Sequence, residues 1–290
     1  MAIAVLLAIF APQLAKHLSI VLETSLIIIL TLVFLKIDLK EIIKKIRDIR
    51  LMAYIVFLFL IAIPVLIYFI AQFFDENIAL GLLLLTAMPA GASAPALTDL
   101  VKGNSALSTS ITIITSLLAP FTVPLLFTIF TGKDISIEPF SMFKTLAILI
   151  LLPIIFSEII KKYFKKTVEK TKASFSAINI IILSLFLYTV IGMQAETITS
   201  NLANVLKYLL IVYPVFILLH GLGYLSAYGR NKKDKISFAV SKAYMNNGLG
   251  ILLAAKFFNP EITLLLVLSE IPWSTLLKPF QKIINLRTKL

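Results

Sequence analysis

Thr86-Ala-Met-Pro-Ala-Gly-Ala-Ser-Ala-Pro-Ala-Leu-Thr98 interrupts an apolar run of about residues 77–100. Pro89 and Pro95 each lack a backbone donor and crowd the preceding turn, and Gly91 lies between them. A second interruption, Ser241-Lys-Ala-Tyr-Met-Asn-Asn-Gly-Leu-Gly250, falls inside the run of about 234–257. There Asn246, Asn247 and Gly248 favour non-helical backbone. A broken helix frees backbone donors and acceptors, which membrane interiors tolerate only where protein or a water-filled cavity satisfies them. Pro and Gly are common in membrane helices, so one break alone carries little. Matched breaks in two halves of a chain point to a binding site near the bilayer midplane.

Composition makes the membrane the setting. Of 290 residues, 59% are hydrophobic and 14% charged, and mean hydropathy is +0.99. A soluble domain carries about a quarter charged residues. A span takes about 20 residues, so the chain has room for nine or ten and for no soluble domain. Ten apolar segments are legible, at about 2–14, 18–35, 51–73, 77–100, 104–131, 139–163, 173–194, 203–228, 234–257 and 260–285. The first ends in Ala11-Pro12-Gln13-Leu14-Ala15, similar to a signal-peptide cleavage site, but lacks a basic leader and reads as a short first span.

The net charge of +12 follows the positive-inside rule rather than nucleic-acid binding. Lys36 to Arg50, Lys102, Lys161 to Lys172, Arg230 to Lys235 and Lys278 to Lys289 carry 21 of the 27 basic residues. All fall on one side if ten spans alternate. Asp75-Glu76-Asn77, Asp134 to Glu138, Glu196 to Asn201 and Asn259-Pro260-Glu261 fall on the other. The reading is a multi-pass protein of the cell (inner) membrane with both termini cytoplasmic. Ten spans divide into five plus five, the second half inverted, with repeats at about 1–132 and 138–290 and breaks in spans four and nine. The expected fold class is thus an all-α polytopic membrane protein.

Several chemistries are excluded. The absence of cysteine removes disulfides and thiolate sites, and only His17 and His220 supply imidazole. The chain has no phosphate-binding Gly-x-x-x-x-Gly-Lys motif, no His-Glu-x-x-His and no Gly-x-Ser-x-Gly. An enzyme is therefore not expected, nor a cofactor or an obligatory protein partner.

Met88-Pro-Ala-Gly-Ala-Ser-Ala-Pro-Ala-Leu-Thr-Asp-Leu-Val-Lys-Gly-Asn-Ser-Ala-Leu-Ser108, continuing to Ser116-Leu-Leu-Ala-Pro-Phe-Thr-Val-Pro124, resembles the bile acid:sodium symporter family. The Lys-Gly-Asn-x-Ala-Leu-Ser run is the most specific part. Asn246-Asn-Gly-Leu249 with Phe257-Phe-Asn-Pro260, Trp273, and Leu35-Lys-Ile-Asp-Leu-Lys40 extend the resemblance over nearly the whole chain. It implies a panel of spans one, two, six and seven and a core of spans three to five and eight to ten, with two crossed discontinuous helices. It also implies transport of small organic anions by an elevator-like or rocking motion.

The resemblance further implies two sodium sites behind the crossing. Ser108 and Thr112 match two hydroxyl ligands at i, i+4 on one helix face. Elsewhere the chain departs from the pattern. Ala94-Pro95 replaces a Ser-Asn pair, Ser241 stands at the acidic position and Met245 at the glutamine. Sodium coupling through those sites is therefore in doubt, and sodium remains an open cofactor. Candidate ion- or substrate-binding residues are Ser93, Thr98, Ser108, Thr112, Ser241, Lys242, Asn246, Asn247 and Glu270, with Pro89, Gly91, Pro95 and Gly248 as breaks.

Lys242 stands at a neutral family position, and a charge at that depth costs at least about 3 kcal/mol unless paired or hydrated. Two readings stand: pairing with Glu270, the ammonium taking sodium's place and exchanging a proton, or snorkelling to the cytoplasmic face. Glu23 faces either the cavity or the outer interface, and His220 reads as a packed, hydrogen-bonded side chain. The function expected is a secondary active transporter of organic anions, bile-acid-like or small carboxylates, with degraded sodium sites. A proton-coupled or uncoupled carboxylate carrier of the auxin-efflux-like branch is the alternative, and a channel is the remote one.

Overall fold

Helix follows helix throughout the computed structural model, which describes residues 7–37, 48–130, 138–200 and 202–286. Lys40 to Arg47, Asp134, Asn201, Arg287 and Lys289, used above for orientation, lie outside those residues, as do the first residues of the first segment. The described elements are α1 (Gln13–His17), α2 (Val21–Phe34), α3 (Ile49–Phe57), a π-helical turn (Leu58–Ala62) and α4 (Ile63–Ala71). Then come α5 (Glu76–Ala87), α6 (Ala94–Leu100), α7 (Ser105–Phe130), α8 (Pro139–Tyr163) and α9 (Lys165–Thr171). A 3-10 turn (Lys172–Ser174) leads to α10 (Phe175–Met193), α11 (Ala195–Ser200) and α12 (Leu202–Ser226). The chain continues with α13 (Lys232–Ala243), α14 (Asn247–Phe257), α15 (Pro260–Leu268), α16 (Glu270–Thr275) and α17 (Leu277–Leu286).

Five of these units are long and apolar enough to cross a membrane: 49–71, 105–130, 139–163, 165–193 and 202–226. A sixth is the pair Pro260–Thr275 and Leu277–Asn285, bent by 40°. The other apolar helices, α2, α5 and α14, are shorter. At about 1.5 Å per residue, the 12 residues of α5 and the 11 of α14 reach only partway across the hydrocarbon.

Short helices leave many ends, and side chains cap them. Asp75 accepts from Ile78 N at the start of α5, Asn231 from Asp234 N at α13, Asn246 from Leu249 N at α14 and Asn259 from Ile262 N at α15. Each satisfies a donor that the helix cannot. The periphery is apolar: Leu206, Leu210, Ile217 and Leu225 form an exposed stripe along α12, as expected of a face against lipid tails rather than water.

Helix α2 packs on α8 and on α10, with α1 against α10. Elsewhere α12 lies along α13, α6 and α7 lie against α13, and α5 packs on α4 and α15. The α12–α13 approach needs Gly223, where an added Cβ would sit 2.8 Å from Ala239 Cα and Phe238 O. Those neighbours are backbone and cannot rotate away. Gly223→Val should therefore cost about 1–3 kcal/mol by overpacking, read as a lower thermal midpoint in detergent. Gly221→Ala, with nothing within 4 Å, should leave the midpoint unchanged.

Candidate functional site

The two interruptions meet. Helix α5 stops at Ala87, Met88 turns extended (ψ 143°), and the chain resumes as helix at Ala94. Helix α13 stops at Ala243 and resumes at Asn247. Between these ends Ala90 and Met245 form an antiparallel bridge. Gly91 N donates to Tyr244 O at 2.8 Å, and Asn246 N to Pro89 O at 2.8 Å. The backbone groups freed by one break thus satisfy those freed by the other. Contact this close excludes a side chain at Gly91, whose added Cβ would lie 2.8 Å from Tyr244 O and 2.9 Å from Met245 O.

Surrounding helices add further partners. Thr115 Oγ1 accepts from Ala90 N at 3.2 Å, and Thr112 Oγ1 donates to Gly91 O at 3.4 Å. Trp273 Nε1 donates to Met245 O at 3.3 Å. Ser108 and Ser241 share a hydroxyl–hydroxyl bond of 2.8 Å. Asn247 Nδ2 donates to Ser269 Oγ at 3.0 Å.

Lys242 is the centre of charge. It is 2% exposed, and its ammonium donates to Phe59 O at 2.7 Å and Thr86 O at 2.6 Å. Both carbonyls are orphans for identifiable reasons. Ile63 N bonds Leu58 O in the π register, and the next donor in that register would be Pro64, which has no N–H. Phe59 O is left over. In α5 the donor for Thr86 O would be Ala90 N, already given to Thr115. The ammonium also lies 5.6 Å from the Phe59 ring centroid. Lys242 stands in the last turn of α13, where the helix dipole favours a cation.

Of the two readings of Lys242, the ion pair with Glu270 does not form, because the lysine turns toward α5 and the π turn. Glu270 opens α16 and has Asn247 as its polar neighbour. Ser108, Thr112, Ser241, Lys242 and the backbone of Gly91 and Asn246 come together at the crossing. Pro95 and Ser93 lie at the start of α6, where Ser93 gives no side-chain cap. Thr98 Oγ1 is buried without a partner among the described residues. Gly248 faces Leu26 of α2 and Phe186 of α10.

The Lys102-Gly103-Asn104 run is a joint. Asn104 receives Ser237 Oγ on its carbonyl at 2.8 Å, donates through Nδ2 to Asp234 Oδ1 at 2.8 Å, and caps Leu107 N. It ties α7 to α13. Away from the crossing, Glu23 pairs with Lys256 at 2.7 Å, and His220 is buried with Nδ1 2.7 Å from Phe216 O. The π turn, Pro64, Phe59 and Ser269 escaped the sequence reading. Pro64 within an apolar span was the available signal, but a main-chain carbonyl has no letter in the sequence.

Comparison with known proteins follows the same lines. The description "SBF-like CPA transporter family" matches residues 1–269. The uncharacterized sodium-dependent transporter YocS of Bacillus subtilis (strain 168) is 32% identical over 190 residues, covering 63% of this chain and 57% of that protein. A probable chloroplastic sodium/metabolite cotransporter, BASS1 of Oryza sativa subsp. japonica, is 25% identical over 191 residues, covering 64% and 45%. Sodium/bile acid cotransporter 7 of Xenopus tropicalis is 32% identical over 116 residues, covering 40% and 34%. The aligned chain spans about half the length of the first two relatives and about a third of the last. With its membrane-length helices and a match over residues 1–269, the chain is a multi-pass membrane protein belonging to the SBF-like CPA transporter family, a family of transporters and not of enzymes.

Proposed function

We propose that this chain is a secondary transporter of organic anions, of the bile-acid or small-carboxylate type, working by alternating access. On this reading ten spans form a five-plus-five inverted repeat in the cell membrane with both termini cytoplasmic. Spans one, two, six and seven make a panel, and the remaining spans make a core that carries the crossed breaks. The packing of α2 on α8 and α10, and of α1 on α10, supports that division.

The observation that carries the proposal is the Lys242 ammonium bound to two carbonyls at the crossing. Sodium needs several oxygen ligands. Here Phe59 O and Thr86 O are held by the ammonium, Ser108 and Ser241 bond each other, and Met245 O accepts from Trp273. The residues present do not fit a sodium ion at this point, and Lys242 stands as a resident cation. A tethered cation cannot run down a gradient. The driving force then comes from the anion's own gradient or from a proton. The proton-coupled carrier is the second reading, favoured by a titratable amine with no carboxylate partner among the described residues.

Purified protein in proteoliposomes, offered bile acids and short carboxylates under separate sodium and proton gradients, tests the proposal. Saturable uptake with counterflow, unchanged when choline replaces sodium, is expected. Stimulation by a sodium gradient would overturn the resident-cation reading, and lack of saturable flux for every anion would overturn transport.

Lys242→Met should abolish uptake. It should also lower the thermal midpoint, since each orphaned buried carbonyl costs about 1–3 kcal/mol. Uptake at the wild-type rate by this variant would refute the role. Gly91→Ala, which forces the two breaks apart, should likewise stop uptake while protein still reaches the membrane, measured by surface accumulation beside flux.

A further inference from the structure

Far from the crossing, a cleft of about 700 Å³ opens where α8 ends. Its walls are the turn after α2, the last turn of α8, helix α9 and the start of the 3-10 turn. Five lysines face it, Lys36, Lys161, Lys162, Lys165 and Lys172, against two carboxylates, Glu158 and Glu169. Glu158 is already paired with Lys161, and Lys161 also donates to Ile37 O at 2.7 Å, closing the end of α2. Lys36 is steadied by Ser176 Oγ at 2.7 Å. Burial, and then the positive charge of Lys172 nearby, holds the Lys36 amine below its ordinary value. Ammonium groups that repel one another around a cleft are relieved by an anion.

The floor beneath them is apolar. Leu35, Val168 and Phe175 form a small buried cluster, joined by Leu32 and Ile160. Tyr163 and Phe164, 69% and 59% exposed, flank the rim, as aromatic residues do at a membrane–water boundary. A lysine rim over a greasy floor, at the end of membrane-length helix α8, matches a phosphate with an acyl chain attached better than a phosphate alone.

We propose that this cleft binds the phosphate of an anionic phospholipid headgroup, held by Lys36, Lys165 and Lys172, with the first acyl carbons against Leu35 and Val168. The proposal does not depend on the transport reading.

Delipidated protein in detergent, titrated with phosphatidylglycerol, phosphatidylcholine or inorganic phosphate, tests it by thermal midpoint and by native mass spectrometry. Phosphatidylglycerol should raise the midpoint and remain as discrete adducts. The Lys36→Gln/Lys165→Gln/Lys172→Gln variant should bind it roughly a hundredfold more weakly, at about a fivefold contribution per lysine near a lipid surface. Each single substitution should give a partial loss, which covers failure of the triple variant to fold. A control removing Lys235, Lys278 and Lys282 should bind as the wild type does. Equal loss in that control would mean diffuse attraction and overturn the site. Equal stabilisation by phosphatidylcholine would overturn the anionic preference, and equal stabilisation by inorganic phosphate would overturn the lipid assignment.

Discussion

Breaking a helix inside a membrane exposes main-chain groups that no water is present to satisfy. Everything near the crossing answers that constraint. Two breaks, from α5–α6 and α13–α14, lie antiparallel and exchange backbone hydrogen bonds. Neither break would be tolerable alone, because each supplies the other's missing partners. The carbonyls of Gly91, Met245, Phe59 and Thr86 go to Thr112, Trp273 and Lys242. Of these, Lys242 alone brings a full charge, and it holds two orphans at once.

That bond joins elements far apart in sequence. Phe59 lies in the turn before Pro64, Thr86 at the end of α5 and Lys242 at the end of α13. Pro64 cannot supply the N–H that Phe59 O requires in the π register, and Pro89 and Gly91 let the chain leave α5. Proline in one segment and lysine in another are therefore two halves of one device. A hydrophobic residue at 242 would bury more comfortably, but it would leave both oxygens unmet, and removing one partner of a buried hydrogen bond exposes its full desolvation cost.

The sequence made part of this legible. Pro89, Pro95 and the Asn246-Asn247-Gly248 run announced the breaks, since those residue types act locally on the backbone. The family resemblance was legible for a similar reason: Lys102-Gly103-Asn104 is a compact joint between α6 and α7. Gly103 admits no Cβ against Thr98 and Ile236, and Asn104 bonds Asp234 and Ser237. What the sequence hid was the ammonium's destination. Opposite charge at depth suggested Glu270, whereas the actual acceptors are peptide oxygens, one freed by the π register and one by the break after α5. The count of uninterrupted spans was hidden too, because apolar composition does not distinguish one rod from two half-length helices with capped ends. The stretch of about 260–285 illustrates this: legible as one apolar segment, it forms α15, α16 and α17.

The hydroxyls give the last step. Ser108 and Ser241 bond each other at 2.8 Å, a neutral pair whose demands are met internally. A carboxylate at position 241 would bring negative charge beside Lys242 and leave hydroxyls such as Ser108 free to turn toward a mobile cation. With serine there, the positive charge needs no counter-ion beyond carbonyl dipoles at the ends of α5 and α13, both of which present their negative ends to it. Charge balance and hydrogen bonding therefore favour the same arrangement: with serine at 241 the hydroxyl pair is satisfied internally, and the cation at 242 is met by peptide oxygens.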